Sequence, residues 1–273
     1  MTVRLLASDV DGTLVRSDGT VSDATRTALR RATEAGLLVA FVTGRPQRWL
    51  HQIADDTGHT GVAVAGNGAV LYDLKAEVVL QAHLLEPALL AELTGQLRAA
   101  FPDVRFGIEY GMNFAYEPGY RHDWEISPSH DHRGNPIPPP RMADLSEIIG
   151  DPAVKLLAKD HAVDADSFLA SAEQVIGPRA TVTTSSRHGL LEIAAPGVTK
   201  ASGLAELAAR HGIAPGEVVA VGDMPNDVPM LQWVGRAYAV ANAHPSVLAV
   251  ADEVLPSNDD DGVATLIEAV LAC

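Results

Sequence analysis

The sequence predicts an α/β fold built around a doubly wound, mostly parallel sheet. Three observations lead to this class. Short apolar runs alternate along the chain with helical segments, which is typical of βαβ units. The residues within a run are apolar at consecutive positions, as in strands that are buried on both faces. Each run ends at a polar residue or a glycine, so we expect polar groups along one edge of the sheet.

Five apolar runs near the two ends of the chain predict the strands of this sheet: residues 3–7, 37–42, 62–65, 218–221 and 238–241. The predicted helices span residues 22–35, 47–57 and 199–211, with a last helix after residue 262. Ser22 and Thr199 suit helix N-caps, because their hydroxyls accept hydrogen bonds from backbone N–H groups of the first turn. Gly36 and Gly212 suit the position that follows a helix C-terminus.

The middle of the chain has a different pattern, which predicts an inserted α+β domain. Helical segments cover residues 86–101 and 164–176. Strand-like runs cover residues 104–117 (broken at Gly111), 154–158, 181–184 and 190–193. We therefore place a second domain at residues 83–191 and build the first domain from residues 1–82 and 192–273. Residues 127–140, rich in proline and histidine, predict a surface loop.

Composition excludes several classes of protein. The 273 residues include 20 basic and 35 acidic side chains, a net charge of −15, which disfavours nucleic acids and anionic membranes as partners. A small anionic substrate remains compatible, because a metal ion or one lysine can reverse the sign locally. The single cysteine, Cys273, excludes an intrachain disulfide and a cysteine-based zinc site. No apolar run reaches the ~18 residues that a membrane span needs, and Arg4, Asp9 and Asp11 interrupt any signal peptide. We expect a cytoplasmic protein.

Acidic residues follow the first and fourth predicted strands. Asp9 and Asp11 stand two positions apart in the segment Asp-Val-Asp-Gly-Thr, and Asp223 and Asp227 follow residues 218–221. In open α/β sheets, ligands bind beyond the carboxyl ends of the strands. We expect one crevice to contain the polar residues after the five strands: Asp9, Thr43, Asn67, Asp223 and Asn242. The alternative is that each of these residues only begins a turn.

Lys200 is the basic residue that stands out. It follows the predicted cap Thr199, where the helix dipole disfavours a cation, and this local conflict indicates nearby carboxylates or a bound anion. Four carboxylates at one edge would repel one another without a cation, and hard oxygen ligands favour Mg²⁺. Mg²⁺, a hydroxyl, a lysine and a spare carboxylate together suit phosphoryl transfer.

The order of these motifs resembles that of the haloacid dehalogenase (HAD) superfamily, and within it the Cof-type hydrolases with a large α/β cap (type IIB). The matching segments are Asp-x-Asp-Gly-Thr at 9–13, Thr43-Gly44-Arg45, Lys200 and Gly-Asp-x-x-Asn-Asp at 222–227. The resemblance implies a Rossmann-like core with an inserted cap domain. It also implies a Mg²⁺-dependent phosphatase that hydrolyses a small phosphomonoester, such as a sugar phosphate, through an aspartyl-phosphate.

The resemblance assigns roles to individual residues. Asp9 would be the nucleophile, and Asp11 would protonate the leaving-group oxygen and then deprotonate the attacking water. Thr43 and Lys200 complete the implied catalytic set. The implied metal ligands and supporting acids are Asp9, Asp11 (through its carbonyl), Asp223 and Asp227. The implied substrate-binding residues are Thr43, Gly44, Arg45, Lys200 and Asn226.

Two other functions use the same residues and stay open at this point. A phosphomutase would return the phosphoryl group from the nucleophile to a sugar, and a non-catalytic regulator would bind a phosphoryl group without turnover. Gly66-Asn67-Gly68 suggests a dinucleotide site, but Leu71 stands where the third glycine of that motif belongs, and no Walker A sequence occurs.

Residues of the inserted domain are considered for two further roles. His130 and His132, with acidic neighbours, are a pair that a zinc ion could use, but two such ligands do not make a closed site, and a surface loop often contains such residues. Outside that domain, Arg48 is expected to be a solvated helix residue. We consider five residues as determinants of substrate specificity, because recognition residues concentrate on loops: Glu109, Glu117, Tyr120, Arg121 and Trp124.

Overall fold

The computed structural model describes residues 2–121, 139–184 and 189–272. Its strands are β1 Leu5–Ser8, β2 Leu38–Val42, β3 Val62–Ala65, β4 Val70–Asp73, β5 Val78–Ala82, β6 Arg105–Tyr110, β7 Asn113–Tyr116, β8 Arg141–Met142, β9 Lys155–Lys159, β10 Thr181–Thr183, β11 Leu190–Ala194, β12 Val218–Gly222, β13 Arg236–Val240 and β14 Glu253–Leu255. Its α-helices are α1 Asp23–Glu34, α2 Leu50–Thr57, α3 Pro87–Ala100, α4 Leu145–Ile148, α5 Ala165–Ile176, α6 Lys200–Arg210, α7 Val228–Trp233, α8 Pro245–Leu248 and α9 Gly262–Leu271.

The chain divides into two compact units. The first comprises Met1–Arg45, Gln52–Gln81 and Thr199–Cys273, and the second comprises Pro46–His51 and Ala82–Val198. The sheet of the first unit has the strand order β14-β13-β12-β1-β2-β3-β4-β5. Its central strand β1 pairs in parallel with β12 and with β2, whereas β3 and β4 are antiparallel. The predicted doubly wound, mostly parallel core is confirmed.

The strand order reverses direction at β1. From β1 the chain adds β2 and β3 on one side, and the later strands β12, β13 and β14 extend the other side. Every residue of β1 and β12 is buried, and each Leu or Val that is buried in this way stabilises the fold by about 1.5–3 kcal/mol. Ligands of doubly wound sheets bind where the strand order reverses. The carboxyl ends of β1 and β12 are therefore the first place to look for a site.

The second unit is built on a six-stranded sheet in the order β10-β11-β9-β6-β7-β8. Its central strand β9 is antiparallel to both β6 and β11. Helix α5 packs against β10, β11 and helix α3, so this unit is the predicted α+β material. The face that carries Glu109 also carries Lys155, its partner in the register of β6 and β9. Lys155 Nζ donates to the Glu192 carboxylate of the neighbouring strand.

The borders of the units differ from the predicted domain limits. The predicted boundary between residues 191 and 192 lies inside β11, whose residues pair with β9, and the second unit continues to Val198. The predicted helix over residues 47–57 is divided into a 3-10 turn, Gln47–Trp49, and α2. The segment Pro46–His51, which contains the turn and the first two residues of α2, belongs to the second unit.

Arg48 corrects a prediction, because it is buried and not solvated. The Arg48 and Glu109 side chains are each 5% exposed, and Arg48 Nη2 donates to Glu109 Oε1 at 3.0 Å. The Arg48 guanidinium also lies over the Trp49 ring, 4.9 Å from its centroid. A charged pair is tolerated inside a protein when its members satisfy each other in this way.

Candidate active site

The loop after β1 begins at Asp9, which is only 4% exposed. The Asp9 N–H group donates to the Val221 carbonyl of β12 at 3.0 Å, so this residue continues the hydrogen-bonding pattern of the sheet. Gly12 has a φ of +79°, and a Cβ atom at this position would lie 2.5 Å from Asp223 Oδ2. Glycine therefore allows the loop to turn sharply and to lie directly against Asp223.

Helix α6 brings Lys200 into contact with this loop. The Thr199 hydroxyl accepts the Ser202 N–H group at 3.1 Å, and the Ser202 hydroxyl accepts the Thr199 N–H group at 2.9 Å. This reciprocal capping fixes the first turn of the helix. Lys200 Nζ donates to Asp9 Oδ1 at 2.5 Å and to Asp227 Oδ1 at 2.6 Å, and its side chain is 1% exposed. The conflict with the helix dipole is thus offset by two carboxylates.

The turn after β12 holds the other two acids of the site. Asp227 Oδ2 accepts the N–H groups of Asp223 and Met224, each at 3.0 Å. Asp223 Oδ1 accepts the Thr13 hydroxyl at 2.9 Å. Both oxygens of Asp227 are therefore engaged with the protein, which suits a residue that supports the site and orients Lys200.

Gly68 lets the turn after β3 approach the start of α6. It has a φ of +104°, and a Cβ atom there would lie 2.0 Å from the Thr199 carbonyl oxygen. We expect Gly68→Ala to lower the free energy of unfolding by about 3 kcal/mol, since the backbone conformation and the overlap both oppose alanine. Gly95→Ala is the matched control: Gly95 lies inside α3 with nothing within 4 Å of its added Cβ, so a gain of about 0.5–1 kcal/mol is expected. Urea unfolding of both variants measures the difference, and equal stabilities would contradict this role of Gly68.

Three buried carboxylates form a cluster that fits a divalent cation. Asp9, Asp223 and Asp227 each offer one oxygen atom, and these atoms lie within 4.8 Å of one another. One ammonium group, that of Lys200, contacts two of these three carboxylates. The excess of negative charge and the set of oxygen donors fit Mg²⁺, which prefers such ligands. The structure thus brings together Asp9, Asp223 and Asp227 from the implied metal set.

The charges of the cluster shift its pKa values. Burial raises the pKa of Asp9 well above its usual range; Lys200 opposes this shift, and the charges of Asp227 and Asp223 add to it. Burial and the charge of Asp227 raise the pKa of Asp223 to about 6. Burial alone would lower the pKa of Lys200, but the charges of Asp227 and Asp9 outweigh it and raise that pKa. Lys200 is therefore a permanent cation, and the carboxylates need further positive charge to be ionised together.

The Asp11 carboxylate lies in a different contact. Its oxygens accept two hydrogen bonds from Arg45: Nε donates to Oδ2 at 2.9 Å and Nη2 donates to Oδ1 at 2.6 Å. The Asp11 side chain is 59% exposed and that of Arg45 is 20% exposed. Asp11 is therefore beside the cluster and not one of its carboxylates. The resemblance assigns the backbone carbonyl of Asp11 to the metal, and this role does not involve the carboxylate.

Polar residues after β2 and β3 lie on a connected set of hydrogen bonds. Thr43 is fully buried, and its hydroxyl accepts the Arg45 N–H group at 3.0 Å across Gly44. The Asn67 N–H group donates to the Thr43 carbonyl at 3.0 Å. Asn226 Nδ2 donates to Asn67 Oδ1 at 3.0 Å, and the buried Asn226 Oδ1 has no partner among the described residues. An unsatisfied buried oxygen is costly, and a bound group that donates to it would remove that cost.

Two contacts of the site were not predicted. The motif at residues 9–13 predicts no role for Thr13, although its hydroxyl donates to Asp223. The sequence places Asn242 in the crevice but does not predict its partner. Asn242 Nδ2 donates to the Gly12 carbonyl at 2.8 Å and thereby supports the loop after β1. A hydroxyl directly after the glycine of an acidic turn is the signal that could have indicated Thr13.

Three of the five residues considered as specificity determinants have structural contacts within the second unit. Glu109 pairs with Arg48, as described above, and Glu117 Oε1 accepts Arg98 Nη2 at 2.5 Å. Tyr120 packs with Phe114 in an apolar cluster of the same unit. Arg121 is exposed. Trp124 and the histidine pair His130 and His132 lie outside the described residues.

The sequence matches the family of haloacid dehalogenase-like hydrolases over residues 6–267. The chain belongs to this family. The predicted resemblance to its Cof-type members is confirmed, and so is the predicted class of enzyme, a phosphoric monoester hydrolase.

Several curated relatives have similar sequences. A Bacillus subtilis protein, 5-amino-6-(5-phospho-D-ribitylamino)uracil phosphatase YwtE, is 26% identical over 99% of this chain and 99% of its own length. The Escherichia coli pyridoxal phosphate phosphatase YbhA is 27% identical over 98% of both chains. The Arabidopsis thaliana chloroplastic endoribonuclease YBEY is 27% identical over 95% of this chain. This HAD-family chain spans only 45% of the length of that protein.

Solved structures agree on the fold. The HAD subclass IIB sugar phosphatase BT4131 superposes with a TM-score of 0.83 at 20% identity, covering 99% of this chain and all of the other. The family match and this likeness show a Rossmann-like core with an inserted cap domain. Within the described residues, no helix has the length and apolar character that a membrane span requires.

Proposed function

We propose that this HAD hydrolase is a Mg²⁺-dependent phosphatase that hydrolyses a small phosphomonoester through an aspartyl-phosphate on Asp9. The observation that carries the proposal is the buried bridge of Lys200 between Asp9 and Asp227 beside Asp223. An ammonium group in this place can neutralise both the nucleophile and an incoming phosphate. A surface turn would not need to bury four charged groups together.

In the first step, a carboxylate oxygen of Asp9 attacks the phosphorus atom of the substrate. The bond between phosphorus and the alcohol oxygen breaks, and the proton of Asp11 goes to that oxygen, so that the leaving group departs as a neutral alcohol. Thr43 and the Gly44 N–H group hold the phosphate oxygens in this proposal, with Asn226 beside Lys200. The buried hydroxyl of Thr43 is fixed by its hydrogen bond with Arg45, which suits a positioning role.

In the second step, a water molecule attacks phosphorus and its proton goes to the Asp11 carboxylate. The bond between phosphorus and the Asp9 oxygen breaks, inorganic phosphate is released, and both aspartates return to their starting states. Asp9, Asp223 and the Asp11 carbonyl would hold Mg²⁺, with Asp227 in support; when bound, the ion neutralises phosphate oxygens so that an anionic nucleophile can approach.

The substrate class is proposed from the relatives. The names of YwtE and YbhA describe phosphatases of small phosphorylated metabolites, and we propose a substrate of the same kind, such as a sugar phosphate. The net charge of −15 does not oppose such a substrate, because Lys200 and a bound cation make the site itself attractive to anions.

Phosphate release from a panel of phosphorylated metabolites with Mg²⁺ present tests this function. We expect turnover of one chemical class, complete loss of activity with EDTA, and recovery on addition of excess Mg²⁺. Recovery with Zn²⁺ but not with Mg²⁺ would contradict a hard-oxygen site. Conversion of a hexose 1-phosphate into a 6-phosphate without free phosphate would identify a phosphomutase, and binding without turnover would identify a regulator.

A further inference from the structure

Arg45 makes a two-pronged contact with Asp11 that the proposed roles do not require. Its Nε and Nη2 groups donate to the two different oxygens of the Asp11 carboxylate at 2.9 and 2.6 Å. A fork of this kind fixes the plane of the carboxylate as well as its position. Among the described residues, Arg45 is the partner that holds the Asp11 side chain, which is otherwise 59% exposed.

The backbone of Arg45 is itself held in place. Its N–H group donates to the Thr43 hydroxyl at 3.0 Å, and its carbonyl accepts the Gly66 N–H group at 2.9 Å. The Arg45 guanidinium is mostly buried, whereas the carboxylate that it binds faces solvent. The arginine is therefore the fixed member of the pair, and the exposed aspartate takes its orientation from it.

We propose that Arg45 is a positioning residue that aims the Asp11 carboxylate at the water of the second step, and that it does not act mainly by binding phosphate. The proposal rests on the proposed function and deepens it. The fork occupies both oxygens of the Asp11 carboxylate, so it fixes the direction in which that carboxylate faces.

The step that this arrangement serves is the cleavage of the aspartyl-phosphate. One water proton moves to Asp11, the water oxygen bonds to phosphorus, and the bond from phosphorus to Asp9 breaks. A base that is already oriented lowers the activation free energy of this step, because less entropy is lost in reaching the transition state. Loss of Arg45 should therefore slow cleavage of the intermediate far more than its formation from a substrate with a good leaving group.

Rapid-mixing kinetics with p-nitrophenyl phosphate and Mg²⁺ tests this inference. For Arg45→Ala we expect kcat to fall by about tenfold or more, with kcat/KM within about threefold of the wild type. A burst of p-nitrophenol should precede the slow steady state, because the intermediate accumulates. A fall in kcat/KM with raised KM and no burst would show that Arg45 binds phosphate, and would overturn the inference.

A double-mutant cycle with Asp11→Asn separates action through Asp11 from every other role. If Arg45 acts through Asp11, Arg45→Ala should change the rate of intermediate cleavage by less than about twofold in the Asp11→Asn background. Additive losses would overturn the inference. Arg45→Lys keeps the charge but loses the fork, so full activity of that variant would also contradict positioning.

Controls distinguish failure of this inference from failure of the proposed function. Arg30→Ala removes an arginine whose side chain is 65% exposed on α1, and it should behave as the wild type. If the wild type itself forms no phosphoenzyme and releases no phosphate, the proposed function fails. If the wild type turns over and Arg45→Ala is unchanged in kcat, only the role of Arg45 fails.

Discussion

Replacing Asp9 by asparagine should abolish the hydrolysis of p-nitrophenyl phosphate, with kcat reduced by roughly four orders of magnitude or more. Asparagine has nearly the same shape, so its amide oxygen can still accept from Lys200. The amide cannot form the covalent intermediate, however, and this removes both steps of the proposed mechanism. The fold should be retained, because burial and neighbouring acids already disfavour the charge of Asp9.

The matched control for this experiment is Asp55→Asn, which changes an exposed aspartate of α2 in the same way. We expect full activity from that variant. Circular dichroism and thermal unfolding of both proteins establish that any loss of rate is not a loss of structure. Turnover near the wild-type rate in Asp9→Asn would exclude Asp9 as the nucleophile and would end the proposed mechanism.

Replacing Lys200 by methionine should be costly for both stability and activity. The ammonium group contacts the Asp9 and Asp227 carboxylates inside a buried site, and its removal leaves these acids without their cation. Loss of one member of a buried ionic network typically costs about 3–5 kcal/mol. We expect a decrease of that size in the free energy of unfolding, measured in urea, and the loss of detectable phosphatase activity.

A second variant keeps the Lys200 prediction testable if the single variant does not fold. Adding Asp227→Asn removes one of the two stranded carboxylates, so Lys200→Met with Asp227→Asn should be more stable than Lys200→Met alone. It should remain inactive, because the nucleophile still lacks its cation. Lys75→Met, at an exposed position, should unfold like the wild type. Strict additivity of the two site substitutions would contradict an energetic coupling between Lys200 and Asp227.

The location of the site followed from sequence because parallel strands end at one edge of a sheet. Asp9 and Asp223 follow β1 and β12, which are hydrogen-bonded neighbours. Lys200 was informative because a cation at a helix N-terminus is unfavourable unless carboxylates compensate for it. Both inferences depend on backbone direction and on net charge, and these two properties can be predicted from a sequence pattern.

Side-chain partners were less predictable. Asp11 was expected among the carboxylates of the cluster, whereas its oxygens accept from Arg45. Which neighbour a side chain reaches depends on its torsion angles, and these have no sequence pattern. Arg48 illustrates the same difficulty. The pattern of a short helical segment does not predict that Arg48 will be buried in an ion pair with Glu109, which is remote in sequence.

The edges of the sheets were also poorly predicted. β5 begins with Val78 and Val79, which are 47% and 48% exposed. The apolar run of this strand therefore does not indicate that its side chains are buried. β4 is only four residues long and begins two residues after Gly68, which leaves too little sequence for periodicity to be recognised. β11 continues past the predicted limit of the second domain because its pairing with β9 extends to Ile193.

The long separation between Asp9 and Lys200, 191 positions, has a consequence for biosynthesis. As the polypeptide leaves the ribosome, the central strand β1 lacks its neighbour β12 until the whole inserted unit has been made. Joining such remote segments carries an entropic cost and slows their association. The candidate active site therefore forms only after the inserted unit has been synthesised, and termination of translation anywhere before α6 yields a chain without it.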